Sequence, residues 1–285
     1  LLSREVLFGN PDRASVLMSP DGKYLSWTAP VDGVMNVWVA PSDNVAGARA
    51  VTSDTARGIR NYFWSYQSGV LLYLRDTGGD EDFHLYSVDV NNDQIRDLTP
   101  FERTTASVAG VSADHPGVIL VGMNDRDPRW HDLYRVNLLT GERELVEKNT
   151  DNIGDYVVDS NYVPRYASRA KADGGMEVLR KEGNQWVQID EIPFEDVMTT
   201  SLQGLSNDGS VLYLIDSRQR DTAALYSIEQ ATGKKTLLHE DARADIAGAV
   251  IDPMTGKPQA VAVNYLRREL TVLDATIAED LKRLQ

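Results

Sequence analysis

Cysteine is absent from the 285 residues. That excludes a disulfide framework, a thiolate metal site and a cysteine nucleophile. Basic residues are in deficit: 29 Lys and Arg stand against 43 Asp and Glu, a formal charge of −14. Nucleic acid and anionic membrane surfaces are both held through clustered Lys and Arg, so neither is expected as a partner. The acids are spread along the chain, as on a solvated surface. No apolar run approaches the length of a membrane-spanning helix, about 18 residues or more. No leader-like segment opens the chain, and Leu1 stands where a Met would, so a processed or trimmed piece is expected. A long amphipathic helix is also missing between residues 14 and 270. A parallel α/β sheet needs crossover segments of about a dozen residues or more, so that class is disfavoured.

What the chain has is a repeat. A short strand pattern, apolar then often aromatic then Val or Ile, appears as Val37-Trp38-Val39, Leu85-Tyr86-Ser87-Val88 and Leu133-Tyr134-Arg135-Val136. It returns as Val178-Leu179, Leu225-Tyr226-Ser227-Ile228 and Leu270-Thr271-Val272, at spacings of 48, 48, 45, 47 and 45 residues. An apolar strand precedes it, as in "VLLYLRD" (70–76), "VILVGMND" (118–125) and "VLYLID" (211–216). Before that lies a turn, Ser19-Pro20-Asp21-Gly22 in the first unit and Ser206-Asn207-Asp208-Gly209 in the fifth. Such turns have a mechanism: Asp bonds the backbone two residues on, and Gly accepts the exit angle.

Each unit therefore reads as four antiparallel strands in about 47 residues. The strands "VLLYL" and "VILVG" are apolar on successive residues, where a strand with one wet face would alternate. Sheets buried on both faces and stacked in series describe a β-propeller. The expected organisation is all-β. Residues 1–13 form a lead-in, and six blades follow at about 14–54, 57–100, 104–150, 153–196, 198–242 and 244–274. A short helix over 275–285 closes the chain, with Ile277, Leu281 and Leu284 on one face and acids before bases.

The chemistry-bearing residues favour structural readings. The nearest approach to the hydrolase pattern Gly-x-Ser-x-Gly is Gly110-Val111-Ser112-Ala113-Asp114, which lacks the second Gly and falls in an expected turn. Thr232-Gly233-Lys234-Lys235-Thr236 lacks the first Gly of a phosphate loop and sits in an expected hairpin. Of the four histidines (His84, His115, His131 and His239), His84 and His131 occupy equivalent positions in adjacent units, which the repeat explains without a shared metal. Asp76, Asp80 and Asp82 lack the spacing and distal Glu of an EF-hand loop. Trp27, Trp38, Trp64, Tyr73, Tyr86, Tyr134, Tyr213 and Tyr226 recur at strand positions, as wedges between blades would. No catalytic, cofactor-binding or metal residue is assigned, and no cofactor is expected.

The ordered set Phe8-x-Asn10-Pro11, Ser19-Pro20-Asp21-Gly22-Lys23 and Asn36-Val37-Trp38-Val39 resembles the start of the propeller in the S9 prolyl oligopeptidase family. Its acylaminoacyl-peptidase and dipeptidyl-aminopeptidase branch is the nearest in pattern. Ile59, Tyr62, Trp64, Asp76 and Leu85-Tyr86 resemble that family's second blade. The resemblance spans nearly the whole chain. It implies a propeller, usually of seven blades, that filters peptides by size for a C-terminal α/β-hydrolase domain carrying the catalytic Ser, Asp and His. That domain is absent here, so this chain alone is expected to be inactive, with the hydrolase domain and peptide substrates as its partners. With six of seven blades present, two blade faces lack neighbours. The terminal helix, missing residues or self-association would have to cover them. The resemblance leans to a periplasmic or secreted setting without deciding against the cytoplasm. A stand-alone TolB-like binding propeller is the alternative function, and a propeller enzyme with a carboxylate-bound tunnel metal is a third. Arg57, Arg60 and Asn61 lead into the innermost strand of the second unit and are the candidate tunnel-mouth or domain-interface residues.

Overall fold

The computed structural model describes residues 2–284, which leaves Leu1 of the expected lead-in and Gln285 of the expected terminal helix outside. The fold is a six-blade β-propeller of antiparallel sheets. The chain divides after Lys148 into two compact units of three sheets each. In the first unit the sheets are β1 (Ala14–Met18), β2 (Tyr24–Val31), β3 (Val34–Pro41) and β4 (Arg49–Ala50); then β5 (Asn61–Trp64), β6 (Val70–Arg75), β7 (His84–Asp89) and β8 (Gln94–Asp97); then β9 (Ala106–Val111), β10 (Val118–Asp127), β11 (Trp130–Asn137) and β12 (Arg143–Glu147). The second unit holds β13 (Asp155–Val158), β14 (Pro164–Ala170), β15 (Met176–Glu182) and β16 (Gln185–Ile192); then β17 (Ser201–Leu205), β18 (Val211–Asp216), β19 (Ala224–Glu229) and β20 (Lys235–His239); then β21 (Ile246–Ile251), β22 (Pro258–Asn264) and β23 (Arg268–Val272). In every sheet the strands follow chain order.

Among the described residues, five sheets have the four strands that the repeat predicts, and the sixth has three. After β23 the chain turns helical instead of returning as a fourth strand. The Asp274 carboxylate accepts the Thr276 N–H at 2.9 Å, and this closes a 3-10 turn over Ala275–Ile277. The helix Ala278–Leu284 follows, with Glu279 and Asp280 in its first turn and Lys282 and Arg283 in its last, an order that suits the helix dipole. Ile277 and Leu281 are half-buried, whereas Leu284 is exposed. The lead-in carries a short helix, Arg4–Phe8, which was not among the expected elements.

The continuous apolar runs do what such runs require. Leu71 and Tyr73 of β6 pack with Val37, Val39 and Ile59, whereas Val70 and Leu72 of the same strand pack with Ile119, Val121 and Met123. One strand thus feeds two cores on opposite faces of its sheet, as pleating dictates. The aromatics serve the same packing. Trp64 stacks on Tyr24 of the preceding sheet at 5.9 Å between centroids and donates its indole N–H to Ser26 Oγ at 2.8 Å. Tyr73 stacks on Tyr86 at 5.1 Å.

The two repeated turns are alike atom for atom. Ser19 Oγ donates to Asp21 Oδ1 (2.7 Å) and accepts from the Tyr24 N–H (3.0 Å), and Gly22 N–H closes on Ser19 O (2.8 Å). In the fifth sheet Ser206 Oγ donates to Asp208 Oδ1 (2.5 Å) and accepts from the Val211 N–H (3.0 Å), and Gly209 N–H closes on Ser206 O (2.7 Å). Both glycines sit in the left-handed region, at φ 71° and 70°. The Ser206 hydroxyl, then the Ser210 N–H and hydroxyl, hold the Asp208 carboxyl down to about 2 from its ordinary 3.8. A folded-state value below the unfolded one contributes stability above the ordinary value, and that contribution is lost as pH falls through about 2. Carboxyl titration followed by NMR is therefore expected to place the Asp208 midpoint near 2. In Ser206→Ala it should move up toward the ordinary value, and an unmoved midpoint would contradict the assigned cause.

Candidate functional site

Residues 51–60 connect β4 of the first sheet to β5 of the second, which opens on Asn61, and buried polar side chains hold them in place. The Thr52 hydroxyl accepts the Val37 N–H and donates to Asn36 Oδ1, both at 2.9 Å. Asn36, fully buried, also accepts the Asp54 N–H (2.7 Å) and donates to Asp54 O (2.9 Å). The Asp54 carboxylate turns back to accept the N–H groups of Arg57 (3.0 Å) and Gly58. Gly58 has φ +76°, and a Cβ there would lie 2.9 Å from Met35 O, so only glycine fits. Ile59, 2% exposed, then anchors the connector in the core.

The structure separates the three candidate residues. Arg57 turns toward the loop after β6: its Nε lies 3.4 Å from Asp76 Oδ1, and its guanidinium covers Gly79. Arg60 and Asn61 instead line a cavity of about 280 Å³. Leu74, Phe83, Ala106 and Val108 form its apolar wall, and Arg75, Asp76 and Ser107 complete its polar part. Arg75 Nε is 3.7 Å from Asp54 Oδ1, and its guanidinium carbon lies 5.7 Å from the Tyr86 ring centre. Arg57 and Arg75 thus each stand beside a carboxylate whose side chain is only 7% (Asp76) or 8% (Asp54) exposed. Asp76 Oδ2 is buried with no hydrogen-bond partner among the described residues.

The other sequence candidates have local roles. Asp80 Oδ1 accepts the N–H groups of Thr77 and Asp82, both at 3.1 Å, and so shapes its own loop. Among the described residues no group of three or more His, Asp or Glu is arranged to hold a metal ion. His84 Nδ1 lies 2.8 Å from Asp97 Oδ2 on the adjacent strand of its own sheet. His131 is half-buried, and that burial pushes its imidazole below the ordinary value. His115 sits in the turn after β9, its N–H on Ser112 O, and His239 ends β20. Ser112 is buried in that same turn, where its Oγ accepts the Asp114 N–H at 3.2 Å. Thr232 and Gly233 form the hairpin between β19 and β20.

Sequence reasoning missed Asn36, Thr52 and Asp54, which position the candidate residues. A signal was present in the pairs Val51-Thr52 and Leu98-Thr99, which recur at the repeat spacing. Thr99 Oγ1 accepts the Leu85 N–H at 2.9 Å as Thr52 accepts that of Val37.

No family model matches the chain. It is 61% identical over its whole length to dipeptidyl aminopeptidase BIII of Pseudoxanthomonas mexicana. The chain spans 42% of the length of that relative. The fold matches a prolyl endopeptidase structure over 92% of this chain and 41% of that one, with TM-score 0.65 at 8% identity. It also matches the β-propeller domain of the Trilobed protease from Pyrococcus furiosus, described as having an open velcro topology, over 92% of this chain and 81% of that one. There the TM-score is 0.57 at 17% identity. The expected resemblance to the propellers of the S9 prolyl oligopeptidase family holds along the whole chain. In this propeller, the connector between the first two blades carries both a structural cation, Arg57, and a cavity-lining one, Arg60. Their substitutions should separate. Arg57→Ala leaves the Asp76 carboxylate buried without its cation and is expected to cost about 1–3 kcal/mol in urea unfolding. Arg60→Ala is expected to stay within about 0.5 kcal/mol. Equal losses would contradict this division.

Proposed function

We propose that this chain is the propeller portion of a larger S9-type serine peptidase and that it restricts which peptides reach a catalytic α/β-hydrolase portion. The observation that carries the reading is the 61% identity along the entire chain to a dipeptidyl aminopeptidase of which it spans 42%. The reading assigns catalysis to the remainder of the protein. Acyl transfer needs a serine activated by a histidine beside an oxyanion hole. Ser112, in Gly110-Val111-Ser112, is buried in a β-turn, where its hydroxyl accepts the Asp114 N–H. The connector that carries Arg57 and Arg60 and leads into Asn61 is assigned to the end of the propeller that faces the catalytic portion. Its support is local: a rigid backbone presents exposed polar side chains beside a cavity, as binding loops on a fixed scaffold do.

The test uses one N-terminal dipeptide in two settings. The longer protein is expected to release it from a short chromogenic peptide and to leave it in place when a folded domain carries it. The 285-residue chain alone should turn over neither. Comparable rates on both carriers would overturn the filter. Turnover by this chain alone, lost on replacing one of its serines, would overturn its non-catalytic assignment.

A further inference from the structure

We propose that the cavity beside Arg60 holds the last residue of a peptide, with its free carboxylate on Arg60 and Asn61 and an apolar side chain against Leu74, Phe83 and Val108. The inference rests on the reading of this chain as a peptide filter and adds to it the group that is recognised.

Charge is the first argument. Arg57 and Asp76 face one another, and Asp54 is held by backbone N–H groups with Arg75 nearby. Arg60 is left exposed, with no ion-pair partner among the described residues. The charged residues of the lining are Arg60, Arg75 and Asp76, which leaves the cavity wall net positive on a chain of formal charge −14. A peptide carboxylate is repelled by most of the surface and attracted here, and a guanidinium–carboxylate contact is among the stronger hydrogen-bonded pairs. A peptide's amino end has no such site in the cavity: Asp76 Oδ1 faces Arg57, and Asp76 Oδ2 is sealed from solvent.

Shape is the second argument. Asn61 and Ser107 are exposed and add hydrogen-bonding side chains to the polar part of the cavity. Opposite them the wall is aliphatic and aromatic, so an inorganic anion would use only half of the site. At about 280 Å³ the cavity lies at the small end of ligand pockets, which run from about 300 Å³ upward. It has room for one residue, and a chain end needs only one exit. The site would favour short peptides, whose carboxyl end lies within reach, over long chains.

The experiment titrates the chain with N-acetyl-Ala-Leu as the free acid and as its C-terminal amide, with calorimetric readout. The acid is expected to bind about tenfold tighter than the amide, the scale of one charge-assisted contact. Arg60→Gln should bring that ratio close to one without weakening the amide, and Arg60→Lys should keep part of it. Phe83→Ala should weaken both ligands. Equal affinity for acid and amide, or no acid binding up to about 10 mM, would overturn the proposal. An Arg60→Gln variant that retains the full preference would also overturn it. If binding fails while the longer protein still discriminates short peptides from folded carriers, this site falls and the filter stands. If binding holds while that discrimination is absent, only the filter falls.

Discussion

Consecutive side chains of β6 leave the sheet on opposite faces, and both faces are dry: Leu71 and Tyr73 enter one core, Val70 and Leu72 the next. A sheet of this kind cannot stand alone, because either face would expose the apolar surface that drives folding. It needs a sheet of the same kind on each side, and a chain built from such units becomes a repeat. The same constraint decides where polar chemistry goes. Little room for it remains within the middle strands, so it collects in the turns and connectors at their ends.

The connectors are fixed by a second layer of buried polar contacts. Asn36, Thr52 and Asp54 form a closed set in which side chains satisfy backbone groups that would otherwise be lost from water. Satisfied networks of this kind rigidify the segment that they hold. Gly58 adds a backbone conformation and a close approach to Met35 that no side chain permits. Two arginines three residues apart therefore reach different fates. Arg57 closes over Gly79 and Asp76, while Arg60 points its charge into the open beside the cavity.

Much of this was legible in the sequence, and for physical reasons. Runs such as "VLLYL" break the alternation of a half-wet strand, and Ser-Pro-Asp-Gly and Ser-Asn-Asp-Gly name the turn that their side chains build. Those two signals locate the middle strands and the turns that precede them. The three-stranded sixth sheet was not legible, because the repeat spacing carries no mark of the turn that the Asp274 carboxylate caps in place of a fourth strand. The cavity was legible only as a suspicion attached to Arg57, Arg60 and Asn61. Its apolar wall comes from β6, the loop after it and β9, segments brought together by sheet stacking and not by spacing in the chain. Asp76 was marked by its place at the end of a repeated apolar strand, but its pairing with Arg57 was not, since that contact is made across a turn of the chain and not by spacing.

Which end of the first three sheets would face the proposed catalytic portion decides the role proposed for the connector. The direct measurement is a crystal structure of the longer protein with a peptide substrate mimic held at its reactive serine. The account predicts that the connector end, with Arg60 and Asn61, faces that serine across the bound peptide. A structure in which the turn end, with Ser19 to Gly22, faces the serine while Arg60 and Asn61 point to bulk solvent on the far side would contradict it.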